Sequence, residues 1–251
     1  MRDDLTVRYQ EELKRTRHAV RTHVERVWRG LPDYREHNQK EFLDQVLPLV
    51  RAGQERAVSL TSAYMSEKVG LGSPVGLAMD LLTGAGVRNG IDPRIVYQRP
   101  FTTLYVSIAA IGFARAYDKA LNRLMSTADM DVIMSARDAS TAFGKAGTGV
   151  TMFQRVADPN CCDFCQTIDG AKVRSDDPAP LHNNCGCTVE PLTGETAGVD
   201  FLDLSAGSVT GDVEFQDHGE LGPVITPKDS DFTTLHDLPR DYRHELAQAS
   251  E

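Results

Sequence analysis

The chain has 251 residues, 41% hydrophobic and 25% charged, with a net charge of −9, ordinary proportions for a globular protein with room for one large domain or two smaller ones. No apolar run reaches the length of a membrane span: the longest, Phe101 to Ala114, is interrupted by Thr102, Thr103, Ser107 and Gly112, and the start, Met1 to Leu5, lacks the apolar core of a secretory leader, so no membrane contact and synthesis in the cytosol are expected. The charge is lopsided, because residues 191–251 hold 13 acidic and 3 basic side chains, a balance of −10; the +1 left for residues 1–190 removes most of the electrostatic objection to nucleic-acid contact by the body.

Residues 1–31 read as a helix, with Leu5, Tyr9, Leu13, Val20, Val24, Val27 and Leu31 recurring at helical steps. Such a narrow seam asks for a partner, either a neighbouring helix of the same chain or another subunit. Its Arg-rich face (Arg8, Arg15, Arg17, Arg21, Arg26 and Arg29, offset by Glu11, Glu12 and Glu25) reads as solvated charge, with contact to packaged DNA or an acidic partner as the alternative. Pro32-Asp33 ends this helix. A second is expected from about Asn38 to Lys68, lined by Phe42, Val46, Val50, Ala57, Leu60 and Tyr64, with Pro48 kinking or splitting it. Six glycines and two prolines in residues 69–93 predict a broken connection with one short helix near Leu77–Leu82. Pro100 is expected to open the most apolar helix, Phe101 to Met125, built on Leu104, Ile108, Ile111, Ala116, Leu121 and Leu124. Its small residues Ala109, Ala110, Gly112, Ala114 and Ala116 would allow close helix approach. Asp129 or Asp131 then caps a further helix that runs to about Phe143 and stops at Gly144 or Gly147.

The character changes at Gly149. Val150–Val156 is β-prone, and Thr188–Pro191 reads as a second short strand. Beyond Leu192 the chain is rich in Gly, Asp, Thr and Pro; Val199–Leu204 and Val224-Ile225 are expected as short strands and Tyr242–Gln248 as a helical turn or two. The expected class is α+β: a helical region over 1–147, a small β-containing module over 148–191, and an extended acidic tail over 192–251.

Five cysteines and one histidine fall within residues 161–187, and no cysteine lies elsewhere. Cys162-x2-Cys165 and His182-x2-Cys185 flank a sixteen-residue spacer, the pattern of two turns converging on one tetrahedral metal ion, best suited to zinc. Cys187 is an alternative fourth ligand, because residues two apart on an extended strand face the same side. Cys161, adjacent to Cys162, is the spare thiol. A closed four-ligand site is structural, whereas catalytic zinc keeps an open position beside an acid or base. Asp163, Asp169, Asp176 and Asp177 lie nearby, but no spacing marks one as a base, and Asp169-Gly170 is a turn signal first. The chain lacks Gly-x-Ser-x-Gly, His-Glu-x-x-His and Gly-x4-Gly-Lys-Ser/Thr motifs; Gly144 to Gly149 reads as a helix stop and linker. No catalytic residue is assigned.

The stretch Phe153 to Cys165, with Arg155-Val156, a Pro159 turn and Cys162-x2-Cys165, followed by Gly170, His182-x2-Cys185-x-Cys187 and Pro191, resembles the signature of phage MuF-like minor head proteins. It is similar above all to the form found in tailed phages of actinobacteria. Arg99-Pro100-Phe101 and the span Asp131 to Arg137 are similar to that group as well. The resemblance implies a virion morphogenesis protein that works with the portal and other head proteins, inside the head near the portal, in assembly and in genome packaging or ejection. It leaves two enzymatic alternatives: a capsid maturation protease acting on the major capsid protein, a label often attached to such proteins, and a zinc-dependent nuclease.

Overall fold

Apolar residues at helical spacing and three breaks, at 30–35, 69–92 and Gly112, divide the first 145 residues into four α-helices: α1 (Asp4–Arg29), α2 (Glu36–Lys68), α3 (Pro93–Ile111) and α4 (Phe113–Lys145). The computed structural model describes residues 3–159, 161, 165–166, 169–176 and 186–193, and the backbone of 213–217 and 223–227. After α4 come β1 (Val150–Val156), β2 (Lys172–Arg174) and β3 (Thr188–Thr193), an antiparallel sheet in the order β2-β1-β3, and then a separate hairpin of β4 (Val213–Asp217) and β5 (Pro223–Pro227). A helical region followed by a small antiparallel sheet is thus the architecture. The expected strand Val199–Leu204 and the turn Tyr242–Gln248 lie outside the described residues. The chain divides into two compact units, one of Met1–Gln10, Ser62–Gly76 and Ala139–Glu251, the other of Glu11–Thr61 and Leu77–Asp138.

The second unit is organised around Trp28. The ring packs on Phe101 and Tyr34 at 4.8 Å between centroids and on Phe42 at 5.5 Å, in tilted or edge-on arrangements that favour aromatic pairs. The buried seam of α1 here is therefore Leu13, Val20, Val24 and Trp28, and the expected Val27 and Leu31 are only half-buried. On α2, Phe42, Val46, Val50 and Ala57 are buried as expected, and Pro48 sits exposed within one continuous helix instead of splitting it. At Gly53 a Cβ would lie 2.3 Å from Val20 Cγ2, so only glycine permits this approach of α2 to α1.

Two expectations about helix ends are corrected. Pro100 lies inside α3, which starts seven residues earlier: Asp92 accepts the Arg94 N–H at 2.8 Å and Pro93 occupies the first turn, where its missing N–H costs nothing. The helix stops at Gly112, whose φ of +76° suits glycine, so the single helix expected over Phe101–Met125 is two. Asp129 and Asp131 cap nothing, because α4 runs through both. They are buried carboxylates with buried partners. Arg17 grips Asp129 in a fork (Nε to Oδ1 3.0 Å, Nη2 to Oδ2 2.5 Å), while Asp131 receives Arg88 at 2.5 Å and the Tyr97 hydroxyl at 2.7 Å. Burial raises the Asp131 carboxyl above its ordinary range, against the pull of Arg88 and Tyr97. Arg88 comes from the Gly-rich connection, which forms a 3-10 turn at Met79–Leu81, within the short helix expected near Leu77–Leu82, and a second, unexpected one at Gly86–Arg88. The small residues Ala109, Ala110, Gly112 and Ala114 face outward, beside exposed Tyr105, Val106, Ile111 and Phe113.

A buried ion pair loses more when one partner is removed than when both are replaced by apolar groups. Arg17→Met or Asp129→Leu alone should therefore cost about 3–5 kcal/mol in denaturant unfolding, and the double variant should recover most of that loss.

Candidate metal centre

β1 is the central strand and therefore has to satisfy neighbours on both edges. Against β2 the register is Met152↔Arg174, Phe153↔Val173 and Gln154↔Lys172; against β3 it runs from Met152↔Leu192 to Val156↔Thr188, with an irregularity between Val150 and Met152. Ser175 covers that irregularity, its N–H donating to Thr151 O and its hydroxyl to Val150 O. The ladder continues past β2, as Arg155 donates to Ala171 O at 2.7 Å and Gly170, at φ +80°, returns an N–H to Arg155 O at 3.0 Å. The Asp169 carboxylate accepts the Ala157 N–H at 2.7 Å, which ties the expected Asp169-Gly170 turn to the end of β1. In the same unit, Gln10 of α1 donates to Val156 O and Thr188 Oγ1, and Thr6 and Lys68 both bond Glu190 of β3. Tyr9 and Tyr64 stack at 4.2 Å beside this network.

Both described cysteines of the expected ligand set sit at the end of β1 and are buried. Cys165 has helical backbone, and its sulfur accepts a hydrogen bond from Arg155 Nη2 at 3.4 Å. Cys187 immediately precedes β3, and its sulfur accepts the Asp158 backbone N–H, also at 3.4 Å. The pleat explains the convergence. One step beyond the pair Val156↔Thr188, Cys187 stands opposite Ala157, and Ala157 shares a face with Arg155. Cys161 is half-buried and its N–H turns back to Asp158 O at 3.0 Å. The other expected ligands, Cys162, His182 and Cys185, lie outside the described residues. Among the described residues no group of three or more His, Cys, Asp or Glu side chains gathers to hold a metal ion. The donors that are described do suit a soft cation: two buried sulfurs, each facing an N–H, match the chemistry of thiolate ligands to zinc.

Three residues of this arrangement carried no site role in the sequence reading. Arg155 belonged to the signature stretch, yet only the fold makes it a buried guanidinium on a cysteine. Asp158 serves through its backbone N–H and C=O, which no side-chain pattern could reveal. Gly186, between two cysteines, is required by close approach: a Cβ there would lie 2.9 Å from Asp158 Oδ2 and 3.1 Å from its Cγ.

Comparison with known proteins finds no matching family model, no matching curated protein and no matching solved structure. The described helices include none long and apolar enough to cross a membrane.

Gly186→Ala should force Asp158 or the Cys187 turn to move and cost about 1–3 kcal/mol, measured by thermal unfolding of the reduced protein. Gly76→Ala, where a Cβ meets open space, should be close to neutral in the same measurement.

Proposed function

We propose that this chain is a MuF-like minor head protein of a phage, a morphogenesis factor that associates with the portal during head assembly and genome packaging or ejection. Its 148–191 module is stapled by one structural zinc ion held by Cys162, Cys165 and His182, with Cys185 or Cys187 as the fourth ligand. The observation that carries this reading is the burial of Cys165 and Cys187 at one end of β1, each sulfur facing an N–H. Three residues of the sequence signature, Arg155, Cys165 and Cys187, thus come together at one end of β1, which supports the reading. A structural ion there adds folding free energy to a three-stranded sheet too small to bury much apolar surface by itself. The helical region supplies the docking surface. From Phe101 to Ala114 it carries no charge, and Tyr105, Val106, Ile111 and Phe113 are exposed, a patch suited to a protein partner. The protein works inside the head, near the portal, after assembly in the host cytoplasm, and its acidic tail keeps it soluble.

Co-expression with a portal protein and a major capsid protein from the same genome provides the test. The expected result is co-elution with the portal, an uncleaved capsid protein, and about one zinc per chain by elemental analysis. Removal of zinc by a chelator should lower the melting temperature without ending any turnover. Capsid-protein cleavage abolished by a single Ser or His substitution would replace this reading with a maturation protease. DNA nicking that a chelator stops would replace it with a nuclease. A folded, reduced chain without metal would remove the staple.

A further inference from the structure

We infer that residues 79–91 form a strap that opens as one unit while the helices beneath it stay folded, and that the buried pair of Arg88 and Asp131 is its latch. The strap is closed on itself. The Leu82 N–H donates to Met79 O, the Gly86 N–H to Thr83 O, the Arg88 and Gly90 N–H groups to Ala85 O, and the Ile91 N–H to Arg88 O, while the Thr83 hydroxyl returns to Met79 O. At Gly86 a Cβ would lie 2.4 Å from Leu81 O, so the two 3-10 turns fold closely on one another. Bonds of this local kind need nothing from the helices and are kept when a compact loop lifts away as a body.

The attachment to the helices is of a different kind. Gln54 of α2 is buried and accepts the Gly84 N–H at 2.9 Å. Arg51 of α2 meets Asp80 at 3.0 Å, but at the surface, where such a pair holds little. Of the strap's large apolar side chains, only Leu82 and Val87 are buried. The deepest anchor is Arg88, which reaches Asp131 of α4 at 2.5 Å beside the Tyr97 hydroxyl of α3. That anchor is costly. Arg88 Nε is buried with no hydrogen-bond partner among the described residues, and burial raises the Asp131 carboxyl above its ordinary range although Arg88 and Tyr97 both pull it down. A buried pair whose attraction barely offsets its desolvation fixes where a segment sits without adding much stability. A self-contained segment held in this way opens at a lower free energy than the helices unfold.

Amide hydrogen exchange on the full, reduced chain, followed by mass spectrometry under native conditions, tests both halves of the proposal. In the wild type, the amides of residues 82–91 should exchange together and at least about 100-fold faster than those of residues 46–58 in α2. Asp131→Leu alone leaves the Arg88 charge stranded and should speed exchange of the strap by about 100-fold. The double variant Arg88→Met with Asp131→Leu removes both charges and should slow it by about 10-fold or more, measured relative to α2. Should Asp131→Leu alone fail to fold, the wild-type pattern and the double variant still decide. Strap amides that exchange at the rate of the α2 core would overturn the strap, since its opening would then require global unfolding. A double variant that exchanges no more slowly than the wild type would overturn the latch.

Discussion

The constraint on which the small sheet depends is that β1 must be paired on both edges within a few residues of its end. β2 is only three residues long, and the ladder on that side is carried on by Ala171, Gly170 and the Asp169 carboxylate. On the other side β3 pairs through Val156↔Thr188 and brings Cys187 to the same end. With those bonds in place, Cys165 receives Arg155 Nη2 and Cys187 receives the Asp158 N–H at the same end of the strand. The cysteines are positioned by backbone accounting, and the side chains of Arg155 and Asp158 are drawn in with them.

The second unit is governed by a different kind of constraint, charge buried where charge is costly. Arg17 on α1 and Asp129 on α4 form a forked pair, and Arg88 from the Gly-rich connection meets Asp131, also on α4, with Tyr97 of α3 completing the group. Such pairs contribute little net stability compared with an apolar replacement, but they penalise any packing that separates the partners. They specify which face of α4 meets α1 and where the connection docks. The aromatic cluster around Trp28 supplies the apolar burial that ion pairs do not.

Function and fold meet at the signature stretch. Under the proposed reading as a phage head protein, a pattern of cysteines, a histidine and an Arg-Val pair has meaning only if those residues form one object. Arg155, Cys165 and Cys187 do so in the described structure, and a metal at this point would serve as a staple. At the α3–α4 junction an uncharged stretch exposes Val106 and Ile111, while Tyr105 and Phe113 also hold the Tyr34 segment through a hydrogen bond and ring contacts.

The sequence by itself determined where helices and strands fall whenever one signal dominated. Val150–Val156 is a strand to the residue, and α1 and α2 keep close to their expected limits. It could not decide cases in which one residue type serves two purposes. Asp129 and Asp131 look like caps because short carboxylates favour helix starts, yet distant arginines had prior claim on them. Pro100 looks like a helix start, yet Asp92-Pro93 begins the helix and Gly112 ends it. Trp28 and Arg17 fall at helical steps on the seam of α1, but an arginine is recognised as a seam residue only once its buried partner Asp129 is seen. Only the tertiary structure set Arg155 on one sulfur and the Asp158 amide on another, since strand register brings together residues far apart in the chain and main-chain donors carry no sequence signal.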